Sequence, residues 1–115
     1  MPRREWIIRI DDMVAAIDKV LGYTAGMDKA SFAADERTID AVVRNLIVIG
    51  EAAGHVPEDV VAASPQIPWA RMRGMRNLAV HEYFGIDVNV LWDTVTINLP
   101  ALLPQLRELP GLLAP

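Results

Sequence analysis

One stretch of the chain carries side chains suited to phosphate chemistry: Arg76-Asn77-Leu78-Ala79-Val80-His81-Glu82-Tyr83-Phe84. Arginine presents a permanent charge and a fork of donors that matches a phosphate, histidine exchanges a proton near neutral pH, and tyrosine adds a donor. These are the parts that metal-independent RNA cleavage requires. A 2′-hydroxyl attacks its neighbouring phosphate, an acid or base moves protons, and a cation stabilises charge on the phosphorane. No acid falls between Val60 and His81, while Arg71, Arg73 and Arg76 lie close together. The segment is therefore locally cationic, which suits a confined anion site. Three arginines on a helix are by themselves more readily a solvated face; the Asn77, His81 and Tyr83 that follow favour a site.

Helix arithmetic limits how these groups can meet. At about 100° per residue, Arg76 and Tyr83 share a face, as do Asn77 and His81, whereas Arg76 and His81 diverge by about 140°. Either the helix unwinds near His81, with Gly85 as a nearby stop, or two copies of it meet and build a composite site across a dimer axis. In the second case an exposed Trp92 or Met75 would help form the interface. The bland role for Asn77 is to orient His81 through a hydrogen bond, which would still support catalysis. Glu51, a carboxylate on an otherwise apolar run, must be paired or face a cleft, with Arg44 or the Arg71 to Arg76 cluster as its partner. His55 reads as a helix cap before it reads as catalytic. Two histidines 26 positions apart, with no carboxylate at ligand spacing, make a weak metal site, so none is expected.

The elements that must hold these residues follow from the apolar pattern. Ile7, Ile10, Val14, Ile17 and Leu21 mark an amphipathic helix from Glu5 to about Gly22. Tyr23 to Ala34 is rich in small residues and carries no helical pattern. Asp35 opens a second helix to about Gly54, apolar around most of its circumference and hence central or facing two neighbours. Pro57, Glu58 and Asp59 suit the first turn of a short helix that stops near Ser64-Pro65. Trp69 to Phe84 is the motif helix. Asp87 caps a last helix from Val88 to about Leu109, with a bend expected near Thr96 to Pro100 because Pro100 and Pro104 each remove an amide donor; Pro110 to Pro115 is expected to fray. The outcome is an all-α antiparallel bundle of four main helices plus a short one, occupying residues 1–115 as a single domain.

Composition sets the outer limits. The 115 residues are 52% hydrophobic and 23% charged, enough for one core and too apolar for disorder. Eleven Lys and Arg against fifteen Asp and Glu leave a charge of -4, which disfavours a protein that coats nucleic acid. Absence of cysteine excludes a disulfide scaffold, a thiolate zinc site and a cysteine nucleophile. No apolar run reaches signal or membrane-spanning length, so a soluble, cytoplasmic protein is the expectation.

The spacing Arg76-x4-His81-x-Tyr83 resembles the Arg-x4-His-x-Tyr motif of the HEPN ribonucleases, specifically the HepT-like toxins of prokaryotic toxin–antitoxin modules. Further blocks resemble that family in order and spacing: Asp40-Ala41-Val42, Ile49-Gly50-Glu51-Ala52, Ile67-Pro68-Trp69, Gly74-Met75-Arg76-Asn77, Tyr83-Phe84-Gly85-Ile86-Asp87 and Trp92-Asp93-Thr94-Val95. The resemblance implies a HEPN-type helical bundle and a homodimer whose composite cleft holds both copies of Arg76 and His81. It implies a metal-independent endoribonuclease acting on RNA, transfer or messenger, with no cofactor. Arg76 would stabilise the phosphate and His81 transfer protons, with Asn77, Tyr83, Arg73 and Glu51 as support. It also implies a type VII-like module in which a minimal nucleotidyltransferase of the MntA type is the antitoxin and attaches AMP to Tyr83. Glu82, an acid beside the motif, is the one departure. The rival reading is a non-catalytic HEPN module that partners or positions substrate for a nucleotidyltransferase, motivated by the acidic total charge. A purely structural bundle would leave the Arg-His-Tyr set unexplained.

Overall fold

A computed structural model describes the backbone of residues 3–85 and 87–113, and the side chains of 5–77 and 87–113. Regular structure among them is helical throughout: α1 (Arg3–Thr24), α2 (Lys29–Ala33), α3 (Glu36–Gly54), α4 (Glu58–Ala63), α5 (Trp69–Gly85), α6 (Val88–Asp93), a π-helical turn (Thr94–Asn98) and α7 (Leu99–Leu113). The all-α bundle expected from the periodicity is the one observed. Helix α3 packs against both α1 and α5, and α7 packs against α1. Among the described residues no helix is long and apolar enough to cross a membrane.

The buried stripe of α1 is Trp6, Ile10, Met13, Ile17 and Val20, all at helical spacing and at most 5% exposed. Ile7, Val14 and Leu21, expected at the centre of that stripe, flank it and are only partly buried. The apolar arc is wider than one row, with Met13, Ile17 and Val20 at its deepest positions. On α3, Val42, Leu46, Ile49 and Ala53 are completely enclosed, which follows from having neighbours on two sides. Its one buried polar side chain, Asn45, is satisfied by donating to the Ala41 carbonyl at 2.8 Å. The loop into α5 is fastened by Trp69, whose indole N–H donates to Ser64 Oγ at 3.0 Å, while Ser64 Oγ donates to the Val60 carbonyl at 2.6 Å.

Helix α2 lies in the stretch expected to lack a helix. Asp28 accepts from the Ser31 amide at 2.8 Å and the Asp28 amide donates to Ser31 Oγ at 3.0 Å, a reciprocal cap that supports a five-residue helix. Gly26 (φ 77°) makes the turn before it. The helix inserts Phe32, fully buried, against Trp92 at a ring separation of 5.1 Å.

The interruption expected around Thr96 to Pro100 takes the form of the π-helical turn. Pro100 offers no amide to the Thr96 carbonyl, and the Leu99 amide reaches back to the Thr94 carbonyl instead. Thr94 and Thr96 also bond the carbonyls of Val90 and Trp92 at 2.9 and 2.7 Å, a back-bonding that loosens helices. The expected fraying from Pro110 is not observed: α7 continues to Leu113 because Leu109 is fully buried and Leu113 packs on the core.

Asp35 caps α3 by accepting from the Thr38 amide at 3.0 Å. That backbone hydrogen bond, with smaller help from the Thr38 hydroxyl and the Arg37 charge, lowers its carboxyl below the usual value. A lowered folded-state value contributes stability above the ordinary carboxylate range and loses it as pH falls through the folded value. Asp35→Ala should therefore lower the melting temperature at pH 7, and in calorimetry the gap from wild type should begin to narrow as pH falls below the ordinary carboxylate value of about 4.

Candidate active site

Where α3 ends beside the middle of α5, the two helices enclose a cleft of about 320 Å³. Its floor is made by a close approach. A Cβ built on Gly50 would lie 2.7 Å from the Arg76 amide nitrogen and 2.9 Å from the Arg76 Cβ, so only glycine lets the α5 backbone come this near. Gly54, one turn on, leaves the rim open, and Glu51, His55, Arg73, Arg76 and Asn77 provide the polar walls.

Arg76 projects from this floor with its side chain 60% exposed, and its Nε lies 2.9 Å from Glu51 Oε1. The pairing predicted for Glu51 is thus met by Arg76, not by Arg44. The ion pair through Nε leaves the two terminal nitrogens without a partner among the described residues, the pair that grips a phosphate in fork geometry. Arg73 pairs with Glu58 at 3.5 Å, and its Nε is buried with no acceptor. Arg71 faces elsewhere, toward a groove against α7 with Gln66, Met75 and Ile97. The arginine cluster is therefore divided: Arg73 and Arg76 belong to the cleft and Arg71 does not.

The backbone of α5 stays helical through His81 and Tyr83 to Gly85. Unwinding at His81, one of the two ways to bring it to Arg76, is therefore not the arrangement observed. The side chains of His81 and Tyr83 lie outside the described residues. Neither side chain expected to be exposed for an interface is so: Met75 is 7% exposed and sits in the core, and Trp92 is half-buried against Phe32. In each case an apolar side chain has found burial within its own bundle.

His55 does cap α3, as expected. Its amide bonds the carbonyls at the helix end and its Nδ1 lies 2.8 Å from the Glu51 carbonyl. A carbonyl only accepts, so Nδ1 carries a proton toward it and Nε2 is the ring nitrogen left for other partners. The cleft membership of His55 was not legible from its position at a helix end, and neither was the role of Gly50. The run Gly50-Glu51-Ala52-Ala53-Gly54, small residues around one acid, was the available signal.

The family described as "Ribonuclease HepT-like" matches residues 13–109. The chain is 38% identical to "Probable ribonuclease HepT" of Thermococcus cleftensis over 87% of its own length and 91% of that protein's. It is 33% identical to "Putative RNase MJ0127" of Methanocaldococcus jannaschii over 95% and 90% of the two chains. No solved structure matches it. A match across most of the chain, with relatives covered nearly end to end, shows that this protein belongs to the HepT-like ribonuclease family.

Proposed function

We propose that the protein is the toxin of a type VII-like toxin–antitoxin module, a metal-independent endoribonuclease whose active site is completed by a second copy of the chain. The observation that carries this reading is the placement of Arg76: its Nε lies 2.9 Å from Glu51 Oε1, and its terminal nitrogens have no partner among the described residues in a cleft that also contains Asn77. Because α5 is unbroken to Gly85, the His81 of the same chain departs from Arg76 by about 140° around the helix axis. A twofold axis beside α5 resolves this by bringing the second copy's α5 to the same cleft.

In this reading the 2′-oxygen of RNA forms a bond to phosphorus and the bond to the 5′-oxygen breaks. Arg76 stabilises the charge on the equatorial oxygens, and His81 protonates the leaving oxygen. The products are a 2′,3′-cyclic phosphate and a 5′-hydroxyl. Tyr83 shares a helix face with Arg76. An antitoxin nucleotidyltransferase that attached AMP there would place a phosphate charge and an adenine where RNA must enter, which inactivates by repulsion and bulk.

Purified protein in excess EDTA should cut RNA to cyclic phosphate ends, and His81→Ala should slow this by roughly 10²- to 10⁴-fold, the usual contribution of a positioned proton-transfer group. Cleavage by His81→Ala at the wild-type rate contradicts the assignment. A folded wild-type protein that leaves RNA intact would favour the non-catalytic binding module.

A further inference from the structure

The transesterification moves two protons, one off the attacking 2′-hydroxyl and one onto the leaving 5′-oxygen, and in-line displacement puts these oxygens on opposite sides of phosphorus. The reaction described so far uses one copy of His81, and the chain's other histidine is His55. We propose that His55 is the other proton-transfer group, taking the 2′-hydroxyl proton at Nε2. This rests on the ribonuclease reading above.

Three features support it. His55 lines the same cleft as Arg76 and Asn77. Its Nδ1, bonded to the Glu51 carbonyl at 2.8 Å, fixes the tautomer in which Nε2 is the base, and among the described residues Nε2 has no other partner. The residue that orients the ring is also the one that orients the phosphate ligand: Glu51 holds His55 through its main-chain oxygen and Arg76 through its carboxylate. In the balanced step, the 2′-O–H proton goes to His55 Nε2 as the 2′-O–P bond forms. The P–O5′ bond then breaks, and the 5′-oxygen takes a proton from His81. Both rings are restored by exchange with water.

His55→Asn separates the two roles, since its amide can still donate to the Glu51 carbonyl and asparagine is accepted at helix C-termini, yet it cannot exchange a proton. Measured on an RNA oligonucleotide, kcat/KM should fall about 100-fold with the melting temperature unchanged. The acidic limb of the pH profile should disappear, because that limb reports protonation of the base. As a reading independent of folding in the variant, the ring nitrogen signals of His55 in the wild-type protein should shift when an uncleavable 2′-deoxy oligonucleotide binds. Wild-type rates and both pH limbs in His55→Asn, or ring signals that ignore the oligonucleotide, overturn the proposal. If His81→Ala is inactive while His55→Asn is unimpaired, the ribonuclease reading stands and only this inference falls. Wild-type protein that does not cleave RNA defeats both.

Discussion

Arg76→Ala should yield a folded protein that cleaves RNA at least about 100-fold more slowly, the loss typical when a preorganised donor to a developing oxyanion is removed. The fold should tolerate the change. The Arg76 side chain is 60% exposed and its Glu51 partner 47%, and exposed ion pairs of this kind are worth about 0–1 kcal/mol. Arg76→Lys should recover little of the activity, because an ammonium keeps the charge but has no Nε to engage Glu51 and no planar fork to meet phosphate. Steady-state cleavage beside a thermal melt reads both halves of the prediction. Wild-type cleavage by the alanine variant would remove Arg76 from the site.

Gly50→Ala is the second change with a large expected effect, and here the fold itself is at stake. The added methyl meets the backbone nitrogen of Arg76 at 2.7 Å and its Cβ at 2.9 Å. The obstacle is mainly backbone, which cannot rotate away, so α3 and α5 must separate. Overpacking of this sort costs about 1–3 kcal/mol, with a backbone clash at the upper end. For a domain of this size that lowers the melting temperature by roughly 10 °C. Activity should fall further than stability requires, since the shift carries Arg76 away from Glu51. Gly22→Ala is the control: it lies in α1 with nothing within 4 Å of a new Cβ, and it should be neutral or stabilising. Equal melting temperatures for Gly50→Ala and wild type would show that the helices do not need this approach.

Much of the bundle is legible in sequence because its signals are local. The cap Asp35, the first-turn acids after Pro57 and the 3.6-residue apolar rows place α3, α4 and α5 to within a residue or two, and Asp87 places the start of α6, although the single helix expected from Val88 to about Leu109 is divided into α6, the π-helical turn and α7. Helix α2 escapes because five residues are too short to show a period, and its cap pairs Asp28 with a serine where a longer acid is the usual partner. The end of α7 escapes because its support comes from burial of Leu109, a tertiary fact that overrides the local cost of Pro110. The site divides the same way. A carboxylate in an apolar run pointed to a partner in Arg44 or the Arg71 to Arg76 cluster, and Arg76 is the member of that set it meets. The position of Gly50 opposite the Arg76 backbone, and of His55 on the same cleft, depends on the register between α3 and α5, which no single helix encodes.

If Arg76 and His81 act from different copies of the chain, as proposed, two impaired variants should complement each other when mixed. Arg76→Ala and His81→Ala protein, unfolded together and refolded, would form hybrid dimers as about half of the total if the chains assort at random. A composite cleft in a hybrid holds one intact arginine from one copy and one intact histidine from the other. Cleavage, at least about 100-fold down in each variant alone, should then return in the mixture toward the wild-type rate of the hybrid fraction. A mixture as inactive as its parents would place both groups within one chain and contradict the composite site.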